Sequence, residues 1–181
     1  MRIFLVRHGQ DDESVRGGWC THGLIEEGVV QSHQLGAALK EEVFDKMYVS
    51  DLPRTVQTAE ILSSYLKTPP KMIYTADLRE HNNSDLVGMD NEIAKQKYLG
   101  LYYRTVGYEE AYPNGESPHA FYLRIKKAWE DITKTSKDQN ILIVTHGGVI
   151  NIMMHLLKEI PYTNKKMLFP VGTGTVTKVE Y

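Results

Sequence analysis

Cysteine is almost absent from this 181-residue chain. The one thiol, Cys20, has no partner for an internal disulfide, so no covalent framework holds the fold and the chain suits a reducing compartment. Long apolar runs are also missing. The opening MRIFLVRHG is broken by arginine and too short for a secretory signal, and no stretch approaches the roughly 18–20 residues of a membrane span. Nor is there an excess of one charge: 21 Lys plus Arg face 23 Asp plus Glu, a formal charge of −2. Such a balance creates no global field for nucleic acid or an anionic membrane, and neither is expected as a partner. No repeat, low-complexity tract or Pro/Gly/Ser-rich linker marks a boundary. What remains, 41% hydrophobic and 24% charged, is the composition of a globular, cytoplasmic protein with one domain over residues 1–181.

The runs Ile3–Val6, Met47–Ser50, Ile141–Thr145 and Val176–Tyr181 are rich in β-branched and aromatic residues and read as buried strands. Lys71–Tyr74, after the breaker Pro69-Pro70, is a weaker fifth. Helical spacing fills the gaps. Ile25 to Leu39 turns Val29, Val30, Leu35 and Leu39 inward, and Pro53 opens a helix reaching Tyr65 with Val56, Ala59, Ile61 and Leu62 inward. Ser117-Pro118 opens another, with Phe121, Leu123, Ile125, Ala128, Trp129 and Ile132 inward, and Val149–Leu157 follows Gly147-Gly148. Strands alternating with helices predict a three-layer α/β domain, a mainly parallel central sheet with helices on both faces. Residues 89–114 break the alternation. They are polar, Tyr-rich and helical in their first half, and read as an insertion over one sheet edge that caps the substrate.

In an open parallel sheet, ligands bind at the carboxyl ends of the strands. The first strand ends in Arg7-His8-Gly9, and a later one in Thr145-His146-Gly147-Gly148. Ser50-Asp51-Leu52-Pro53-Arg54 puts Arg54 in the first turn of a helix, a position that favours an anion. Two arginines and two histidines therefore converge on one rim. Guanidinium forks donate paired hydrogen bonds to phosphate oxygens, and a neutral imidazole nitrogen can attack phosphorus.

These blocks, together with Leu24-Ile25-Glu26-Glu27-Gly28, Thr55-Val56-Gln57-Thr58-Ala59, Leu78-Arg79-Glu80 and Gly115-Glu116-Ser117, follow one another in an order that resembles the histidine phosphatase superfamily, phosphoglycerate mutase-like branch. The resemblance spans almost the whole chain. It implies that His8 is the nucleophile, that Arg7, Arg54 and His146 bind the phosphoryl oxygens, and that Glu80 is the acid and base. It implies no metal and no other cofactor. At the position six residues past the nucleophile, Ser14 stands where the family often has a phosphate-binding Asn, and it is a candidate for that contact. The neighbouring acids Asp11, Asp12 and Glu13 oppose phosphate unless they face away or meet a cationic part of the substrate. Tyr102, Tyr103 and Arg104 are the candidates for the rest of the substrate.

The expected function is a phosphomonoester hydrolase working through phosphohistidine on a small phosphorylated metabolite. Mutases of this type are generally longer, which favours hydrolysis. Phosphoglycerate mutase activity and a catalytically silent phospho-ligand binder are the alternatives. Glu116 and Asp85 compete with Glu80 for its role. Cys20, His22 and His33 have no zinc-like spacing, His155 reads as a core residue, and Lys165-Lys166 as a solvated pair. Oligomeric state is not legible in the sequence.

Overall fold

The computed structural model describes all residues, 1–181. Its sheet is built from β1 (Arg2–Arg7), β2 (Lys46–Ser50), β3 (Met72–Thr75), β4 (Asn140–Thr145) and β5 (Val176–Glu180). The spatial order is β3-β2-β4-β1-β5, all parallel except β5, which pairs antiparallel with β1 at the edge. The helices are α1 (Glu26–Leu39), α2 (Pro53–Ser63), α3 (Asn91–Lys97), α4 (Pro118–Thr135) and α5 (Gly147–Leu157).

Each central strand is buried on both sides, which is why it reads as an unbroken apolar run. Ile3, Leu5, Ile141 and Ile143 point to the α4/α5 side, where they meet Ile125, Trp129 and Ile150. Phe4, Val6, Leu142 and Val144 point to the other side, against Leu35 and Leu39 of α1 and Ala59 and Leu62 of α2. Truncating one of these to Ala costs about 2–5 kcal/mol.

Helix faces differ from the expectation in detail. Val29 and Val30 are exposed, and the buried stripe of α1 is Gly28, Ser32, Leu35, Gly36 and Leu39. Small residues let α1 lie close to its neighbours: a Cβ on Gly28 would stand 2.1 Å from the Gln10 carbonyl oxygen. In α2 the buried residues are Arg54, Thr55, Thr58, Ala59 and Leu62, with Val56 and Ile61 only half-buried. Leu123 is exposed on α4. Ser117 caps α4 by accepting from the Ala120 N–H, and Asp90 caps α3 by accepting from the Glu92 and Ile93 N–H groups.

The 89–114 segment is helical in its first half, at α3. It overhangs the carboxyl ends of the strands, where Asn91, Leu101, Tyr102, Tyr103 and Tyr112 share a cavity with Arg7 and His8. Val106 and Tyr112 of this segment bury themselves against Leu86 in a small core of their own. The backbone of residues 14–16 is laced to 88–91: Val15 bridges Asp90, the Arg16 N–H donates to Met89 O at 2.8 Å, and the Gly88 N–H donates to Arg16 O at 2.8 Å.

Candidate active site

The β1/β4 register creates the centre of the site. Arg7 is paired with Thr145 across the parallel ladder. The next residues along the two strands are therefore His8 and His146, brought together where both strands stop. The His8 N–H donates to Thr145 O at 3.0 Å, and the two rings lie 5.1 Å apart, centre to centre. Both are buried, His8 4% exposed and His146 0%. The Gly174 N–H donates to His8 O, so the turn at Gly172-Thr173-Gly174 braces the site through backbone.

His8 Nδ1 lies 2.7 Å from the carbonyl oxygen of its neighbour Gly9. That acceptor requires the proton on Nδ1 and leaves a lone pair on Nε2. Arg54 Nε approaches this Nε2 at 3.3 Å and also stands 3.3 Å from Asp11 Oδ2. The remaining Arg54 nitrogens donate to Gly18 O at 2.8 Å and to Cys20 O and Sγ at 3.3 Å. With 2% exposure, Arg54 is the largest fully buried side chain of the protein. Burial first, then the Arg54 and Arg7 guanidinium groups, hold the His8 pKa well below the ordinary imidazole value of 6.5, overcoming the opposing bond to Gly9 O. His146 is held down in the same way, by burial and then by Arg54, His8 and Arg7. Its Nε2 meets Ser50 Oγ at 2.9 Å, while its buried Nδ1 has no partner.

Arg7 donates from Nη1 to Val171 O at 2.8 Å, and its buried Nε is also without a partner. Glu80 accepts from two backbone N–H groups, His81 on Oε1 and Gly148 on Oε2, each at 2.9 Å. Gly148 has to be glycine for this approach, since a Cβ there would sit 2.3 Å from Glu80 Oε1. Arg124 holds the chain around Glu80. It donates to the carbonyls of Asp77 and Arg79 at 2.9 Å and of Glu80 at 3.1 Å, and forks onto Glu116. Glu116 is thereby occupied away from the cavity. Asp85 faces Asn114 at the surface. Neither rival acid lines the cavity, whereas Glu80 does.

That cavity has a volume of about 510 Å³ and gathers Arg7, His8, Arg54 and Glu80. His146 is fully buried, its ring 5.1 Å from that of His8, and does not line the cavity. Tyr102 and Tyr103 line the cavity. Ser14 and Arg104 do not. Ser14 is exposed and donates to Asp12 Oδ1 at 2.6 Å, because the short Asp12-Glu13-Ser14 turn closes on itself. Arg104 is exposed and donates to Tyr103 Oη at 2.7 Å. The acids divide: Asp11 faces Arg54, Asp12 and Glu13 stay exposed at the rim. Arg16 and Tyr162 line the cavity without a signal in the sequence, and so does Lys166, expected only as half of a solvated pair. Lys165 is no free surface cation, since it donates to Thr105 O and Val106 O. His155 is a core residue, its Nδ1 3.1 Å from Ile160 O.

An imidazole with a free Nε2 lone pair beside Arg54, sharing one cavity with Arg7 and the Glu80 carboxylate, is a constellation suited to phosphoryl transfer. The chain belongs to the histidine phosphatase superfamily, branch 1, whose family model matches residues 3–181. It is similar to the adenosylcobalamin/alpha-ribazole phosphatase of Salmonella typhi, 30% identical over 171 residues that cover 89% of this chain and 81% of that one. It is also similar to the 2,3-bisphosphoglycerate-dependent phosphoglycerate mutase of Bartonella henselae, 30% identical over 168 residues, 86% of this chain and 81% of that one. Its fold matches the crystal structure of the alpha-ribazole phosphatase from Shigella flexneri with a TM-score of 0.88 at 25% identity, covering 99% of this chain and 90% of that one. It is a phosphoric monoester hydrolase of the histidine phosphatase type. No helix is long and apolar enough to cross a membrane.

Proposed function

We propose that this hydrolase works through a phosphohistidine on His8 and completes its cycle with water. The observation that carries the reading is the His8 ring: Nδ1 is tied to Gly9 O, and Nε2 keeps its lone pair beside Arg54. The Nε2 lone pair forms the N–P bond as the ester P–O bond breaks. Glu80, in its protonated form, gives its proton to the departing oxygen. The Glu80 carboxylate then takes a proton from water as that oxygen attacks phosphorus. The N–P bond breaks, its electrons return to Nε2, and orthophosphate leaves.

Charge develops on the equatorial oxygens in both steps. Arg7 with its unpartnered Nε, Arg54, and the unpartnered Nδ1 of His146 are the donors assigned to them. Fixed cations thus do what a metal ion does in other phosphatases. No group of three or more His, Cys, Asp or Glu side chains stands close enough to hold a metal.

The substrate is a small phosphorylated metabolite, with α-ribazole phosphate first on the panel because of the phosphatase relatives. Residues 89–114 act as its cap, within one domain in the cytoplasm. The mutase relative makes 2- and 3-phosphoglycerate interconversion the control reaction.

The test is rapid quenching during turnover of para-nitrophenyl phosphate, followed by peptide mass mapping. The expected result is an acid-labile phosphoryl group on His8, absent from His8→Ala, which is folded and inactive. Full activity of His8→Ala, or quenched enzyme bearing no phosphoryl group on His8 during a burst of nitrophenol, would overturn the reading.

A further inference from the structure

We infer that Arg16 is a specificity-determining residue that receives a second anionic group of the substrate, a carboxylate or another phosphate, remote from the phosphoryl group transferred to His8. The inference rests on the hydrolase reading above for the position of the first anion, and adds a requirement on the rest of the molecule.

Three features of Arg16 lead there. First, its side chain lines the same cavity as Arg7, His8 and Arg54, yet comes from the loop laced to residues 88–91 rather than from a strand end. Second, its guanidinium carbon lies 5.0 Å from the centre of the Tyr102 ring. Stacking of this kind covers a flat face of the group and leaves the N–H edges to act in the plane. Third, its Nε is buried and has no hydrogen-bond partner, and Arg16 takes part in none of the ion pairs of the protein. A buried donor is ordinarily satisfied, so one that is bare on a cavity wall is placed for a ligand. The Nε–H and the adjacent Nη–H form a fork that matches two oxygens of a carboxylate or phosphate.

The surrounding acids do not supply that partner. Asp12 is engaged by the N–H and hydroxyl of Ser14, and Asp11 is paired with Arg54. Arg7 also has a bare buried Nε, but it sits at the end of β1 beside His8 and belongs to the first anion. A cavity of about 510 Å³ is far larger than orthophosphate needs, leaving room for a substrate that reaches both.

The test uses non-hydrolysable probes, so that it does not depend on turnover. Phosphonoacetate, 3-phosphonopropionate and 4-phosphonobutyrate are compared by calorimetry with methyl-, ethyl- and propylphosphonate. For at least one chain length the carboxylate is expected to tighten binding about tenfold or more, as a charge-assisted fork does. Arg16→Met keeps the aliphatic stem over Tyr102, and Arg16→Lys keeps the charge without the fork. Both are expected to erase the gain, and to lower alkylphosphonate affinity and para-nitrophenyl phosphate turnover far less than they lower carboxylate-probe affinity. The inference is overturned if no chain length gains from the carboxylate, or if Arg16→Met weakens both probe series equally. A protein that shows the Arg16-dependent gain but never phosphorylates His8 would instead sink the hydrolase reading alone.

Discussion

Arg54 Nε stands 3.3 Å from His8 Nε2 and 3.3 Å from Asp11 Oδ2, so one guanidinium edge is shared between an imidazole and a carboxylate. Asp11 balances the cation, and in the proposed mechanism the incoming phosphoryl group takes over that role. Both Arg54→Ala and Arg54→Lys are expected to lower kcat by about 10²–10³-fold, the cost of losing a preorganised donor to developing negative charge. Lysine does not rescue because it lacks the planar fork. Steady-state kinetics with para-nitrophenyl phosphate checks this, and an unchanged rate in either variant removes Arg54 from the chemistry.

The pH dependence follows from the two buried imidazoles. His8 and His146 both titrate well below 6.5, chiefly through burial. Below pH 6.5 the unfolded chain takes up protons that the folded protein refuses. Stability is therefore complete above that pH and falls as pH drops toward the folded-state values, by about 1.4 kcal/mol per pH unit for each such proton. Urea melts at stepped pH are expected to show this slope, and His146→Gln to make it shallower. The same depression keeps His8 Nε2 unprotonated into mildly acidic solution, so the acid limb of kcat/KM lies below the usual histidine range.

Gly148→Ala separates catalysis from folding. The added Cβ meets the far end of Glu80, which can swing away, and alanine suits the first turn of α5. The variant is expected to melt at or above the wild-type temperature. Its rate falls about tenfold or more with alkyl phosphates, whose leaving oxygen needs a proton, and far less with para-nitrophenyl phosphate. Equal losses on both substrates would contradict the role given to Glu80.

Arg124→Met removes a donor from the carbonyls of Asp77, Arg79 and Glu80, the last of which keeps Trp19 Nε1 at 2.7 Å, and leaves Glu116 without its fork. A loss of about 3 kcal/mol is expected for breaking this largely buried pair. That corresponds to about 6–12 °C in Tm for a chain of this size. Below the transition, kcat is expected to fall while KM holds, because Arg124 touches no substrate and only sets the position of Glu80.

Chelators are expected to leave the rate unchanged, and vanadate to inhibit competitively by occupying the space between His8 and the two arginines. Activity lost to EDTA and restored by a divalent cation would put the phosphoryl charge on a metal instead.

Strand ends are the most legible part of this protein. The three central strands, β1, β2 and β4, are covered on both faces and leave unbroken apolar runs, and two of these runs stop directly at site residues, at Arg7-His8 and at Thr145-His146. Helix faces are less so. Val29 and Val30 look like core residues by hydropathy, yet Gly28, Ser32 and Gly36 take the buried side of α1, because close backbone approach selects for size rather than apolarity. Residues that work through backbone partners leave no pattern at all. Arg124 reads as an ordinary cation on a helix, since the carbonyls it grips carry no side-chain signature. Arg16 escapes for a related reason: its place on the cavity wall depends on pairing with a segment more than seventy residues away. Ser14 shows the reverse error, a matching position whose local turn points its hydroxyl at Asp12.

The lacing of residues 14–16 to residues 88–91 has a practical side. Because the mouth of the site is stitched from two distant stretches, neither can be exchanged alone without leaving the other's amides bare. A chimera that borrows a new roof from another member must bring the matching hem of the first loop along with it, while the chemistry at the strand ends can stay behind untouched.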